Sequence, residues 1–410
     1  MREGWTQIAL GKVIDLLTGY PFQSDQYSSD SDGIRLLRGD NVCPGYIRWT
    51  DAQKWPNNKC AELARYELQE DDIVVALDRT WVKSGVKVSR ISKSDLPCLL
   101  VQRVARLRAL PILDQRFLGM VLQSHRFESM AKTAKTETAV PHISPNDIRE
   151  FAIALPPLLE QRKIADILHA WDDAIEKLEA LRDANIRCRV WLRSHVFTGR
   201  MRLSGFSGDW REVALSEVLT EHGLKGTGAE EVFSVSVHKG LINQIEHLGR
   251  SFAAAETGHY NRVLPGDIVY TKSPTGDFPL GIIKQSEITQ EVIVSPLYGV
   301  FTPISHALGV ILDALFESPI AVRNYLSPLV QKGAKNTIAI TNRRFLEGKL
   351  RLPMDPNEQA AIAAVVETLQ AELAAIDDEI KLLTAQKRGL MQKLLTGEWR
   401  VKVGGDHAEG

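Results

Sequence analysis

The chain has 410 residues, with 50 Lys and Arg against 51 Asp and Glu, 44% hydrophobic and 25% charged residues, and a formal net charge of −1. Such a composition fits roughly two to three soluble globular domains, and it excludes a protein that coats nucleic acid through overall positive charge, though local basic patches stay open. Cys43, Cys60, Cys98 and Cys188 form no C-x-x-C pair, so neither a zinc site nor a disulfide framework is indicated and a reducing cytoplasm is the plain reading.

The N-terminal Met1-Arg2-Glu3-Gly4-Trp5 leads into mixed polar and apolar sequence with no apolar stretch resembling a secretory signal. Residues 1 to 155 then read as a first globular unit. Asp71-Asp72-Ile73-Val74-Val75 is a turn opening a short apolar strand, Val86 to Ser89 alternates as a strand does, and Leu113 to Met130 reads as a helix. Two loops mix cations with Thr and Ser: Asp78 to Gly85, and Lys132 to Thr138. Side chains of this kind hold phosphate oxygens and reach base edges.

Pro156-Pro157 opens a strongly helical stretch, where proline loses no hydrogen bond because the first helical amide has no partner. Ile164, Leu168, Trp171, Ile175, Leu178, Leu192 and Val196 follow steps of three and four along it, interrupted by Arg182, Asn185 and Arg189. This is a heptad seam with a polar middle. Residues 156 to 203 form this central long helix, and 204 to 352 form a second globular unit.

That second unit opens as the first does. Trp210-Arg211-Glu212-Val213 matches Trp5-Thr6-Gln7-Ile8, and Gly266-Asp267-Ile268-Val269 matches Asp71-Asp72-Ile73-Val74. Phe233 to Val237 alternates as a strand, and Ala307 to Tyr325 reads as a helix. The cationic loops recur at Thr271 to Phe278 and Gln331 to Thr337. The most apolar window, Leu308 to Leu312, meets Asp313 at once, far short of the roughly 20 residues of a membrane span.

A second long helix, 353 to 403, starts at Asp355-Pro356, with Asp355 and Glu358 at capping-box spacing. Its seam is Leu369, Leu373, Ile376, Ile380, Leu383, Leu390 and Leu394, with Lys387 as the polar member. Residues 404 to 410 read as a disordered tail. The two helical segments are one sequence written twice: Glu160-Gln161 to Thr198-Gly199 aligns without a gap on Glu358-Gln359 to Thr396-Gly397, because 358 − 160 and 397 − 199 both equal 198. Each seam runs about 57 Å at 1.5 Å per residue, longer than a small domain is wide, so packing against one another is the economical solution. Connectivity makes the pair antiparallel and gives the molecule an approximate two-fold axis. The fold class is α+β: two mixed α/β domains separated by two long antiparallel coiled-coil helices, in a pseudo-two-fold tandem duplication.

Catalytic motifs are absent from the sequence. There is no G-x-x-x-x-G-K-[ST] loop, no Asn-Pro-Pro-Tyr methyltransferase motif and no H-E-x-x-H, so no catalytic or metal-ligating residue is assigned. His125, His142, His195 and His259 are scattered and read as surface or structural.

The chain resembles the specificity subunits of type I restriction-modification systems over nearly its whole length. The resemblance rests on Leu155-Pro156-Pro157-Leu158-Leu159-Glu160-Gln161-Arg162-Lys163-Ile164-Ala165, on Leu394-Leu395-Thr396-Gly397-Glu398-Trp399-Arg400-Val401, and on Gly19 to Ser24 and Gly33 to Val42. The second half departs from the opening pattern with Phe233 to Gly240, which suggests a different half-site. The resemblance implies a cytoplasmic, non-catalytic adaptor for double-stranded DNA, each domain reading half of a bipartite target and the helices setting the spacer. Its implied partners are two methyltransferase subunits and restriction/translocase subunits. Those partners would hold S-adenosylmethionine, ATP and Mg, with no cofactor in this chain and no membrane association. The DNA-contact candidates are Arg79, Lys83, Lys132, Lys135 and Thr136 in the first domain, and Lys272, Lys332, Lys335, Asn336 and Arg343 in the second. A coiled-coil scaffold displaying two protein-binding domains is the alternative.

Overall fold

A computed structural model describes residues 4–28, 32–60, 62–133, 142–245, 257–332 and 338–402. The chain forms two compact units, Met1–Leu178 with Glu379–Gly410, and Glu179–Asp378. Both long helices, Leu158–His195 and Pro356–Leu395, contribute residues to each unit. The tail expected to be disordered, 404 to 410, lies outside the described residues.

In the first unit the central strand Ile73–Ala76 is buried at every position, as its apolar run requires. It lies between Val104–Ala109 and Val88–Arg90 in an antiparallel four-stranded sheet that Ile14–Thr18 completes. Thr6–Ala9 pairs antiparallel with Ala152–Leu155, closing the unit just before the first long helix. The second unit repeats this plan. Leu219–Thr220, Gly299–Pro303, Ile268–Tyr270 and Ile283–Gln285 make the same order of four, and Arg211–Ala214 pairs with Lys349–Leu352.

The matched strand openings have a shared physical cause. Asp71 and Gly266 take a left-handed backbone, φ +73° and +85°, and the aspartate that follows each is buried and satisfied. Asp72 accepts the Gln69 amide at 2.8 Å and the Arg108 guanidinium at 2.5 Å. Asp267 accepts the Leu264 amide at 2.7 Å, the Thr302 hydroxyl at 2.7 Å and a bond from His222 at 2.9 Å. The departing segment of the second half also keeps its place: Ile34–Leu37 pairs parallel with Cys98–Leu100, and Val232, next to Phe233–Ser236, bridges in parallel to Ile293.

The helices expected over 113–130 and 307–325 are each two: Gln115–Leu122 with His125–Thr133, and His306–Phe316 with Pro319–Leu326. Ser124 accepts the Phe127 amide and Ser318 the Ala321 amide, so each serine starts a new helix, and Pro319 takes a first-turn position that needs no amide.

The long helices pair antiparallel within each unit. In the first, Asp172 meets Lys387 and Glu160 meets Arg400. In the second, Arg182 meets Asp377 at 2.6 Å, Asn185 meets Glu372 at 3.2 Å, and Arg202, just past the first helix, meets Glu358 at 2.5 Å. Later residues of one helix thus find earlier residues of the other. Ile164, Leu168, Ile376 and Leu394 are buried in the seam, and Trp171, Ile175, Leu178, Leu369, Leu373, Ile380, Leu383 and Leu390 are half-buried. The polar interruptions Arg182, Asn185 and Lys387 are therefore paired across it.

By length and composition the helix Pro356–Leu395 is apolar enough to cross a membrane, contrary to the sequence reading that centred on Leu308 to Leu312. Its apolar stripe is the seam, packed on the first long helix inside each unit. The expected Asp355–Glu358 capping box is half made: Asp355 accepts the Asn357 amide at 2.9 Å, but the Glu358 carboxylate turns to Arg202.

That carboxylate explains the repeated Glu-Gln. Glu160 is 2% exposed and holds Arg400 at 2.9 and 3.0 Å while accepting the Trp5 indole N–H at 3.0 Å. Gln161 Nε2 donates to the Pro156 and Ile112 carbonyls, and its Oε1 accepts the Asp114 amide. In the second unit Gln359 donates to the Pro353 carbonyl and accepts the Ser305 hydroxyl. The repeated Thr-Gly ends each helix: Gly199 and Gly397 take φ +67° and +66°, and a Cβ on Gly397 would lie 3.2 Å from the Trp5 ring. Removing Arg400 strands a buried carboxylate, whereas removing Glu160 leaves a half-exposed guanidinium that water can reach. We expect Arg400→Met to cost about 3 kcal/mol in urea unfolding. Glu160→Gln should cost less, and the double variant should recover most of the loss.

Candidate nucleic-acid interface

Three backbone segments converge beyond the end of the first unit's central strand. The Leu77 amide donates to the Arg103 carbonyl at 2.8 Å, and the Ile143 amide donates to the Leu77 carbonyl at 2.9 Å. Asp78 and His142 form an antiparallel bridge. Around this junction opens a cleft of about 630 Å³, lined by Arg38, Arg79, Gln102, Arg103, Tyr27 and His142 together with Asp40 and Asp78. Arg79 and Arg103 hold left-handed backbones, φ +47° and +67°, a conformation non-glycine residues adopt at a cost. Arg103 donates through Nη1 to both Asp78 oxygens, at 3.1 and 2.8 Å, and His142 Nδ1 sits 2.6 Å from Asp78 Oδ1.

The arrangement offers guanidinium, amide, imidazole and phenol groups on one concave surface. That is the chemistry of phosphate oxygens and base edges. Among the described residues no group of three or more His, Cys, Asp or Glu could hold a metal ion.

The structure sorts the sequence candidates. Arg79 lines the cleft and is exposed. Lys83 is exposed at the turn of the hairpin Trp81–Val82 and Gly85–Val86. Lys132 is engaged elsewhere: it pairs with Glu128 at 2.7 Å and lies 4.6 Å over the Trp81 ring, whose N–H donates to the same Glu128 at 3.0 Å. Lys135 and Thr136 lie outside the described residues. Arg38, Gln102, Arg103 and His142 were not selected from sequence. Arg103 stands between the strands Cys98–Leu100 and Val104–Ala109, the nearby Arg106 and Arg108 are taken up by Asp15 and Asp72, and only the tertiary convergence brings Arg103 to Asp78.

In the second unit Lys272 follows the strand Ile268–Tyr270 as Arg79 follows Ile73–Ala76, and it too is left-handed, φ +59°. Burial pushes its ammonium below its usual range, with Glu221 opposing. Glu221 in turn accepts the Asn342 side-chain amide at 2.5 Å. Gly281 lets this loop close, since a Cβ there would meet the Lys272 amide nitrogen at 2.9 Å. Arg343 is exposed on the helix Asn342–Glu347 and pairs with Glu347 at 3.1 Å. Lys332 lies in the strand Gln331–Lys332, paired with Ile338–Ala339. Lys335 and Asn336 fall outside the described residues.

Residues 3–184 match the family model described as the type I restriction modification DNA specificity domain. The chain is 37% identical over 183 residues to the type I restriction enzyme EcoAI specificity subunit of Escherichia coli, an alignment covering 44% of this chain and 30% of that protein. It is 26% identical over 206 residues to the MjaVIII specificity subunit of Methanocaldococcus jannaschii, covering 50% of this chain and 48% of that one. The chain thus spans less than half the length of these two curated relatives. A longer alignment, with the EcoBI specificity subunit of Escherichia coli, covers 98% of this chain and 88% of that protein at 23% identity. In fold, the chain is similar to the type I restriction-modification S subunit from M. genitalium, with TM-score 0.60 and 17% identity over 95% of this chain and 96% of that one.

The Lys132 hydrogen bond, helped by Trp81 and opposed by burial, holds the Glu128 carboxyl below its usual range. A depressed carboxyl contributes stability above its unfolded pKa and loses it as pH falls through the folded value. Lys132→Met should therefore lower stability by about 1 kcal/mol or less near neutral pH. Thermal unfolding at successive pH values should show the deficit closing as the solution is acidified through the carboxylate range.

Proposed function

Since the chain belongs to the family of type I restriction-modification specificity subunits, we propose that it is the DNA-recognition subunit of such a complex, each unit reading one half of a bipartite target. The observation that carries this reading is the matched pair of sheets, each ending its central strand in a left-handed cation, Arg79 and Lys272. The framework around them repeats, and the loops differ. Two modest half-site affinities held on one chain combine through effective concentration. Phosphate contacts make the binding steeply salt-dependent.

Recognition is the chain's whole task in this proposal. Methyl transfer belongs to two methyltransferase subunits carrying S-adenosylmethionine, and translocation and cleavage belong to restriction subunits using ATP and Mg. The setting is the cytoplasm, in keeping with four free cysteines. Methylome sequencing of cells with and without the gene tests the proposal. Loss of one bipartite adenine-methylation motif on deletion is expected; an unchanged methylome would favour a scaffold with no DNA role.

The paired helices set the spacer. Because Asp172 pairs with Lys387, a seven-residue insertion after Ile175 is matched by one after Leu383. The insertion adds about 10 Å of helix, or about three base pairs. We expect a methylation motif with a spacer longer by about that amount and unchanged half-sites; altered half-sites would refute the ruler.

A further inference from the structure

We propose that Arg103 is a base-reading residue of the first unit, held by Asp78 to read a guanine, while Arg79 serves the phosphate backbone. The inference rests on the DNA-recognition reading and assigns roles within it. Arg103 and Arg79 line the same cleft, both left-handed and both exposed, yet their electrostatic states differ. Both bonds from Arg103 to Asp78 leave through Nη1. The Nε and Nη2 donors, which form the side edge of the guanidinium, are not used in that pair. Two parallel N–H groups on one edge match the O6 and N7 acceptors of guanine in the major groove.

Pairing also settles what Arg103 does poorly. A guanidinium neutralised by a carboxylate in contact attracts phosphate weakly, because Asp78 repels the same oxygens and little counterion release is gained. Its hydrogen-bond donors remain, and their direction is fixed. Asp78 is itself held by the antiparallel bridge to His142 and by His142 Nδ1 at 2.6 Å. The left-handed φ of +67° at Arg103 fixes the origin of the side chain, so carboxylate and backbone together restrict the fork. A phosphate contact needs no such restraint; discrimination among base edges does. Arg79 has no hydrogen bond or ion pair among the described residues and keeps its full charge for the backbone.

The experiment compares wild type with Arg103→Ala, Asp78→Asn and Arg79→Ala. Each full-length chain is expressed with its methyltransferase partner, and both the methylation motif and the salt dependence of DNA binding are read. A wild-type chain that specifies no bipartite motif overturns the functional reading itself, and the comparison proceeds only from a motif. Arg103→Ala should relax discrimination at one guanine of the first unit's half-site by roughly tenfold to a hundredfold and leave the other half-site unchanged, while the Asp78 carboxylate it uncovers lowers the salt slope. Arg79→Ala should weaken binding evenly across sequences and reduce the salt slope by about one.

Asp78→Asn separates this assignment from a structural role and covers the case in which Arg103→Ala fails to fold. Removing the carboxylate releases a positive charge, so the salt slope should steepen while discrimination at the same guanine falls. A merely destabilised domain would lose both together. An unchanged motif in a folded Arg103→Ala variant, a uniform loss of binding in that variant with discrimination at the guanine retained, or an unchanged salt slope in Asp78→Asn would each overturn the assignment.

Discussion

The structure depends on two buried carboxylates that reach across the sequence. Glu160, at the start of the first copy of the repeat, holds Arg400 just past the end of the second, and Glu358, at the start of the second copy, holds Arg202 just past the end of the first. Each clamp lies inside one unit, and each ties the start of one long helix to the turn that ends the other. The pairs are separated by 240 and 156 residues. Loop-closure entropy grows only with the logarithm of that separation. A charge-assisted hydrogen bond made where the carboxylate has lost its water can therefore close even so long a loop once the neighbouring apolar seam has formed.

Around each clamp the same accessory contacts recur with small differences. A glutamine beside the glutamate satisfies the carbonyl of a proline before the helix, and a left-handed glycine after the other helix packs on a tryptophan at the start of the globular unit. Trp5 donates to Glu160, whereas the Trp210 indole N–H has no hydrogen-bond partner among the described residues and its ring lies 5.8 Å from the Arg202 guanidinium. The framework tolerates that difference because its geometry is set by the helix ends and the sheet. Function then resides in what the framework does not fix. After the central strand one unit presents Arg79 beside an Asp78–Arg103–His142 chain, and the other presents Lys272 beside Glu221 and Asn342.

Much of this was legible in the residues. The constant offset of the two copies, the heptad steps, the proline starts and the paired tryptophans identified the duplication, the long helices and their antiparallel direction. Helix boundaries were less legible where a run of apolar residues continued through a break: Ser124 and Ser318 each start a new helix, and periodicity alone does not mark them. The Asp355–Glu358 spacing suggested a local cap, but a guanidinium 156 residues away is a stronger partner for Glu358 than a backbone amide. The candidate site was legible only in part. A loop that mixes Lys and Arg with Thr and Ser announces itself as a candidate, and of Arg79, Lys83 and Lys132 only Arg79 lines the cleft. Lys132 was then claimed by Glu128 and Trp81, which belong to different elements.

By itself, the sequence determined the period of the chain, the face each long helix buries and the family likeness, because these depend on residue spacing, which the covalent chain preserves. Tertiary structure alone decided which charges are neutralised and which are left for a partner. Arg103 and His142 lie 25 and 64 residues from Asp78. Whether a cation meets a carboxylate depends on how strands register and loops converge, and no local pattern encodes that meeting.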